Sequence, residues 1–173
     1  MRRITVLLLV LMVVTATSAF AQFRIDIGFN APIAVGVESV NSPSGEPFKI
    51  PSFIPLPFAQ ASYAFNLGPL TMGLGLKAYT LIIESIAWPT AYVELAFDPF
   101  LVSLSGGGGY LFYFGVLGNG SLDTHVFMPD LAAEVKLGRF ARLGLGIMTF
   151  VGFEGQESFP YLFYGSLHFA FPL

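Results

Sequence analysis

Apolar and polar residues alternate along most of this chain. In segment 23–30, large apolar side chains occupy the odd positions, and charged, small or polar side chains occupy the even positions. A period of two indicates a β-strand whose two faces have different surroundings. The same alternation recurs in seven further segments: 60–67, 70–77, 91–97, 102–114, 130–137, 142–147 and 163–173. The pattern therefore predicts eight strands.

The connections between these segments alternate in length. Short connections at Gly68-Pro69, Asp98-Pro99 and Gly138-Arg139 contain the Gly and Pro residues that favour tight turns. Longer connections are predicted near 39–57, 84–89, 115–127 and 154–160. An even number of strands, with short turns at the periplasmic end and long loops at the other, is typical of transmembrane β-barrels. We therefore predict an all-β fold, a closed, up-and-down antiparallel transmembrane β-barrel of eight strands.

The composition indicates which face of the strands meets lipid. Apolar residues make up 54% of the chain and charged residues only 11%, which is too few to cover the surface of an ordinary soluble domain. One face of each strand is rich in Phe, Leu, Ile, Val, Tyr and Met, and the other mixes Gly, Ala, Ser, Thr and charges. Eight strands enclose a lumen just wide enough for side chains, which the aromatic face would overfill. We predict that the apolar face contacts lipid.

The first 21 residues have the pattern of a secretory signal peptide. Arg2 and Arg3 precede an apolar run over 4–14, and Ala19-Phe20-Ala21 gives a small-residue cleavage site. We expect cleavage after Ala21, which leaves 22–173 as a single domain with six basic and eleven acidic residues, a net charge of −5. So few basic residues exclude a nucleic-acid-binding protein. The lack of Cys excludes disulfides and Cys-ligated zinc.

On these features the chain resembles the small eight-stranded outer-membrane barrels of the OmpX, OmpW and PagP type. The resemblance covers 22–173 and is carried by the signal peptide, the amphipathic strands and the C-terminal Phe169-Ala170-Phe171-Pro172-Leu173. It implies a location in the outer membrane of a diderm bacterium, contact with outer-membrane lipid, and recognition of the C-terminal strand by the barrel assembly machinery. The terminal Leu173 departs from the Phe that is usual there. We expect a monomer.

A cluster of charged and titratable residues is predicted in the periplasmic half of the lumen. Its members are Arg24, Asp26, Glu94, Glu134, Lys136, Arg142 and His168. Buried charges must pair to offset their desolvation, which predicts a salt-bridged plug, and the alternative is a gated ion pathway. Arg142 is predicted as the central cation, with Glu134 and Glu94 as its acceptors. Lys77 lies higher in the lumen and is predicted to be isolated.

A pocket is predicted in the upper lumen, above the charges. Small and aromatic residues project inward there: Gly73, Gly75, Tyr79, Tyr92, Leu111, Tyr113 and Tyr164. A pocket with apolar walls suits an acyl chain or another small apolar ligand. The alternative is that the tyrosines fill the space, since barrels of this size are usually packed solid. A bulge within 106–109 would reverse the facing of the residues after it.

The leading functional interpretation is a non-enzymatic barrel, either structural or a narrow conduit or binding pocket for small apolar solutes. A second is a surface adhesion or interaction protein that acts through the Pro-rich 39–57 loop and the acidic loop residues Glu46, Glu84, Asp123, Glu154 and Glu157. A third is a lipid acyl-transfer enzyme, considered because Ser121, Asp123 and His125 are close in sequence. Their order is wrong for a local triad, in which His lies between its partners. No catalytic residue, cofactor or metal is predicted.

Overall fold

The barrel is built from nine strand segments. The computed structural model describes residues 21–39, 55–80, 83–116, 118–152 and 158–173. The strands are β1 (Ala21–Ser39), β2 (Leu56–Leu67), β3 (Leu70–Thr80), β4 (Glu84–Phe97), β5 (Phe100–Gly115), β6 (Gly118–Leu137), β7 (Ala141–Thr149), β8 (Val151–Gly152) and β9 (Ser158–Pro172). The predicted signal peptide lies outside the described residues except for Ala21, as does most of the Pro-rich connection. Within the described ranges, no helix is long and apolar enough to cross a membrane.

The strands form one antiparallel sheet that closes on itself. Neighbours follow the order β5, β4, β3, β2, β1, β9, β7, β6, and β6 pairs back with β5 from Phe100 opposite Val135 up to Gly115 opposite Gly118. Only Phe150 separates β7 from β8, and both pair with β6, so together they occupy one position in the barrel. The predicted closed barrel of eight antiparallel strands is confirmed.

The short turns and both ends of the chain described here lie at the same end of the barrel. Gly68 and Gly138 adopt φ values of 66° and 78°, a left-handed conformation that glycine adopts without steric cost. The amide of Leu173 donates a hydrogen bond to the carbonyl of Phe23 at 2.8 Å, which joins the C-terminus to the start of β1. In barrels of this architecture the short-turn end faces the periplasm.

The outer surface of the barrel is apolar. Leu74 and Leu104 are 63% and 56% exposed, whereas Ser62, from the other face of the sheet, is 1% exposed. Such a surface is stable in hydrocarbon, where a closed barrel also leaves no strand edge unpaired. The chain is therefore a transmembrane β-barrel of the outer-membrane type, with its apolar face toward lipid. The predicted location in the outer membrane follows from this architecture.

The strands are longer than the sequence pattern predicted. Segments 84–89 and 115–127, predicted as loops, belong almost entirely to β4 and β6. The prediction of loops in these two segments is therefore wrong. Pro89 lies inside a register shift between Ala87 and Thr90, where the ladder is interrupted and the missing N–H is tolerated.

The Gly-rich part of β5 contains the expected irregularity without the expected consequence. The register shifts between Gly108 and Tyr110, and Gly108 and Gly109 have φ values of 127° and 76°. Even-numbered side chains nevertheless face outward on both sides of the shift, since Leu104, Tyr110 and Phe112 are all exposed. The reversal of facing that such a bulge would cause does not occur here.

Candidate functional site

Charged side chains meet inside the lower half of the barrel. The structure brings together six of the seven predicted residues, which we call the lower cluster: Arg24 and Asp26 from β1, Glu94 from β4, Glu134 from β6, Arg142 from β7 and His168 from β9. Strands β6, β7, β9 and β1 are neighbours, and β4 lies across the lumen from them. The cluster therefore spans the lumen from wall to wall.

Arg24 is the centre of this cluster. Its Nη1 and Nη2 donate to the two carboxylate oxygens of Glu94, each at 2.7 Å. Its Nε and Nη2 also donate to Oδ1 of Asp26, at 2.9 and 2.7 Å. The guanidinium lies 5.3 Å from the ring centroid of Tyr92. A planar guanidinium can bind two carboxylates at once. Arg142 was predicted to be this central cation, but the structure shows that it is Arg24.

Arg142 and His168 complete the cluster at its edge. Nη1 of Arg142 donates to Oε1 of Glu94 at 2.9 Å but lies 4.0 Å from the nearest carboxylate oxygen of Glu134. Glu94 is thus the acceptor that the two arginines share. Glu134 instead accepts a hydrogen bond from the hydroxyl of Ser166 at 3.4 Å, and its Oε1 lies 3.3 Å from Nδ1 of His168.

Lys136 does not belong to the lower cluster. Its Nζ donates to Oδ1 of Asp98 at 2.8 Å, and the side chain of Asp98 is 84% exposed. Lys136 faces the same side of β6 as Glu134 but lies two residues nearer the turn, so it reaches the mouth of the barrel. Lys136 therefore faces the lumen at its mouth but makes none of the contacts of the lower cluster.

A second layer of polar contacts lies above the lower cluster. Nζ of Lys77 donates to Oδ2 of Asp130 at 3.0 Å, so the predicted isolation of Lys77 is wrong. The hydroxyl of Tyr164 donates to the other oxygen of Asp130. The ammonium of Lys77 also lies 5.5 Å from the ring centroid of Phe58 and 5.4 Å from that of Tyr79. We call Lys77, Asp130 and Tyr164, with the rings of Phe58 and Tyr79, the upper layer.

Two residues at this height, Asp130 within the upper layer and Trp88 beside it, are not among the site residues predicted from the sequence. Asp130 has the same parity in β6 as Glu134, which is a signal that it faces inward. Trp88, the single Trp of the chain, is buried and stacks on Tyr79 with 5.5 Å between ring centroids. The alternation of inward and outward side chains along β4 predicts that Trp88 faces inward only if the strand continues beyond Pro89. The structure shows that it does.

A small polar cavity of about 60 Å³ separates the two layers. Its lining is largely polar or charged and includes Asp26, Asn30, Gln60, Lys77, Ser103, Ser105, Asp130, Glu134 and Ser166. Oδ2 of Asp26 is buried and has no hydrogen-bond partner among the described residues. The volume accommodates a few water molecules. The cavity is much smaller than a pocket for a drug-sized ligand, which has a volume of roughly 300–1,000 Å³.

The glycines of the predicted upper pocket do not leave open space. Gly73 on β3 pairs with Tyr92 on β4, and a Cβ atom on Gly73 would collide with the ring of Tyr92. Gly146 and Tyr164 form the same kind of cross-strand pair between β7 and β9. Tyrosine packing over a neighbouring glycine is a known device of β-sheets. The prediction that the glycines provide room for a ligand is therefore wrong at Gly73.

The remaining predicted pocket residues do not converge on one space. A Cβ atom on Gly75 would meet the backbone of Ala61 in the neighbouring strand. The hydroxyl of Tyr79 accepts a hydrogen bond from Nδ2 of Asn30 at 2.5 Å, so this side chain is packed against its neighbours and does not line an open pocket. Leu111 is half-buried, and Tyr113 is exposed near the end of β5 opposite the short turns.

Gly73→Ala is expected to destabilise the barrel by about 1–3 kcal/mol, because the added methyl group overpacks the Tyr92 ring. Gly165→Ala is the matched control: a Cβ atom there has no neighbour closer than 3.8 Å. Urea unfolding in lipid vesicles measures both changes. Equal stability of the two variants would contradict the described Gly–Tyr packing.

The structure describes only some of the residues on which the surface-interaction and acyl-transfer interpretations depend. The side chains of Asp123 and His125 and all of Glu46, Glu154 and Glu157 lie outside the described residues. Glu84 begins β4. The hydroxyl of Ser121 lies 3.2 Å from that of Tyr110. Among the side chains that the structure describes, no group of three or more His, Asp or Glu is placed to hold a metal ion.

Comparison with known proteins gives structural similarities only. No protein-family model and no curated protein sequence matches the chain. The chain is similar to Neisserial surface protein A, with 8% identity, a TM-score of 0.44, and coverage of 87% of this chain and 97% of that one. It is also similar to the N-terminal β-barrel domain of Pseudomonas aeruginosa OprF (11% identity, TM-score 0.41, coverage 87% and 99%). A third similar structure is Ail, the attachment invasion locus protein of Yersinia pestis, with 7% identity, a TM-score of 0.42, and coverage of 87% of this chain and 99% of that one. The fold assignment rests on the strand pairing of this chain alone.

Proposed function

We propose that this chain is a structural outer-membrane barrel whose lumen is sealed in its periplasmic half. The observation that carries the proposal is the position of Arg24, which bridges Glu94 across the lumen while it holds Asp26 on its own strand. In an eight-stranded barrel a few bridging side chains are enough to block the lumen. The lower cluster acts as this plug, and the upper layer narrows the lumen above it.

The plug is expected to stay closed because opening it exposes unpaired charges. Arg24 and Glu94 are both buried, and the barrel wall around them faces hydrocarbon. Separating such a pair without new partners costs several kcal/mol.

A conduit or pocket for small apolar solutes has less support. The cavity between the layers is lined largely by polar and charged groups and holds only about 60 Å³. An apolar solute placed there would displace water from these groups without replacing its hydrogen bonds.

Solute uptake by proteoliposomes tests the proposal. We expect vesicles containing the wild-type chain to take up a small sugar or indole no faster than protein-free vesicles. The double variant Arg24→Ala with Glu94→Ala removes the bridge without leaving one of its two members unpaired, and it is expected to speed uptake of the sugar. Wild-type uptake above the protein-free rate would contradict the sealed lumen. Heat-dependent migration on gels checks that both proteins are folded.

A surface interaction function is the second candidate. Pairing of β1 with β2 ends at Asn30, whereas β1 stays paired with β9 as far as Ser39. The Pro-rich connection therefore starts from the end of a two-stranded ribbon, formed by β1 and β9, that extends further from the short turns than β2 does. Deletion of 41–54 is expected to abolish binding to a partner cell surface and to leave barrel folding intact. Unchanged binding would remove this candidate.

A further inference from the structure

A second polar cavity opens at the short-turn end of the barrel, below the lower cluster. We call it the periplasmic vestibule, and its volume is about 250 Å³. Four cations line it, Arg24, Lys136, Arg139 and Arg142, with Glu94 as the single carboxylate in the lining. The cavity between the layers has the opposite character, since four carboxylates line it with only Arg24 and Lys77 as cations. The plug therefore separates a negative interior from a positive mouth.

The concentration of positive charge at this mouth is unusual for the chain. The predicted mature chain has six Lys and Arg residues against eleven Asp and Glu residues. Four of those six basic residues line the vestibule. The carboxylates of Asp26 and Glu134 line the inner cavity and not the vestibule. The lining therefore carries more cations than carboxylates, and a cleft with an excess of one sign of charge attracts ligands of the other sign.

Hydrogen-bond donors in the vestibule remain available to a ligand. Among the described residues, Arg142 contacts carboxylates through Nη1, which leaves its Nε and Nη2 without a carboxylate partner. Arg139 is exposed and stacks against Phe140, with 5.1 Å from Cζ to the ring centroid, and forms no salt bridge to any described residue. Among the described residues, the ion-pair partner of Lys136 is the exposed Asp98, and exposed ion pairs of this kind are weak.

We propose that the periplasmic vestibule binds an oxyanion, a phosphate or carboxylate group, with Arg139 and Arg142 as its principal ligands and Lys136 in support. Two guanidinium groups provide planar pairs of donors that match the oxygens of such anions. The volume admits the anionic group with several waters and excludes a bulky ligand. Gln22 also lines the vestibule, so cleavage after Ala21 would add an α-amino group at the same place. The proposal does not depend on whether the lumen conducts.

Nuclear magnetic resonance of the arginine side chains tests the site directly. The mature chain is placed in nanodiscs of phosphatidylcholine and titrated with inorganic phosphate, with acetate, and with chloride at matched ionic strength. We expect the Nε–H signals of Arg139 and Arg142 to shift saturably with phosphate or acetate and not with chloride. Arg139→Gln is expected to weaken binding by roughly tenfold or more, because it removes a charge-assisted pair of donors.

Lys49→Gln is the matched control. It removes the same charge from the connection between β1 and β2, which joins strand ends opposite the vestibule, and it is expected to leave the affinity unchanged. Nanodiscs that contain phosphatidylglycerol distinguish the source of the anion. A lipid headgroup in the vestibule would weaken the apparent affinity for phosphate in these discs, and a site for soluble anions would not change. Absence of saturable shifts with every anion and with the anionic lipid, or equal weakening by Arg139→Gln and Lys49→Gln, would overturn the proposal.

Discussion

Glu94→Gln is expected to lower the free energy of unfolding of the barrel in lipid by about 3–5 kcal/mol. Glu94 is buried and accepts two hydrogen bonds from Arg24 at 2.7 Å and one from Arg142 at 2.9 Å. The amide keeps the shape of the side chain but leaves the two guanidinium groups short of negative charge inside the lumen. Urea unfolding in vesicles, followed by tryptophan fluorescence, measures the loss.

Asp98→Asn is the control for this prediction. Asp98 also binds a cation at the short-turn end, but its side chain is 84% exposed, so the change is expected to cost no more than about 1 kcal/mol. The double variant Arg24→Gln with Glu94→Gln is expected to lose less stability than the sum of its two single variants, because the pair acts as a unit. Equal losses for Glu94→Gln and Asp98→Asn would contradict the buried bridge.

Arg substitutions on the outer face are expected to have an effect that depends on depth. Leu104 is 56% exposed and lies four residues above Phe100 on β5, which places it roughly 10 Å from the short-turn end along the membrane normal. Leu104→Arg is therefore expected to cost about 2–4 kcal/mol. Leu95 lies two residues from the turn-side end of β4, and Leu95→Arg is expected to cost less.

Ala96→Arg is the matched control on the opposite face. Ala96 lines the periplasmic vestibule, where an added side chain reaches water and not hydrocarbon. Folding yields and unfolding free energies in vesicles should follow the order Leu104→Arg, Leu95→Arg, Ala96→Arg, from the most to the least damaging. An Ala96→Arg variant that folds as poorly as Leu104→Arg would mean that the two faces are assigned wrongly.

The fold was predictable because its determinants are local. Alternation over eight or so residues decides which side of a strand faces lipid, and turn residues such as Gly68 and Gly138 mark the reversals. Pro89 shows the limit of this reasoning: a residue that breaks an ideal ladder was accommodated at a register shift, and β4 continued through it.

The lumen contacts were less predictable because they join residues distant in sequence. Arg24 and Glu94 are separated by 70 positions, and Lys77 and Asp130 by 53. Parity predicts that such residues face inward, but only the register of every intervening strand sets their relative height. The same register places Tyr92 beside Gly73, and so turns an expected gap into a packed contact.

The current through a single barrel in a planar lipid bilayer tests the sealed lumen most directly. We expect no steady current from the wild-type chain above that of the bare bilayer at either polarity. We expect the folded double variant Arg24→Ala with Glu94→Ala to pass a measurable ionic current. A large steady current from the wild-type barrel, unchanged in the double variant, would show that the lower cluster lines an open channel and would contradict the account.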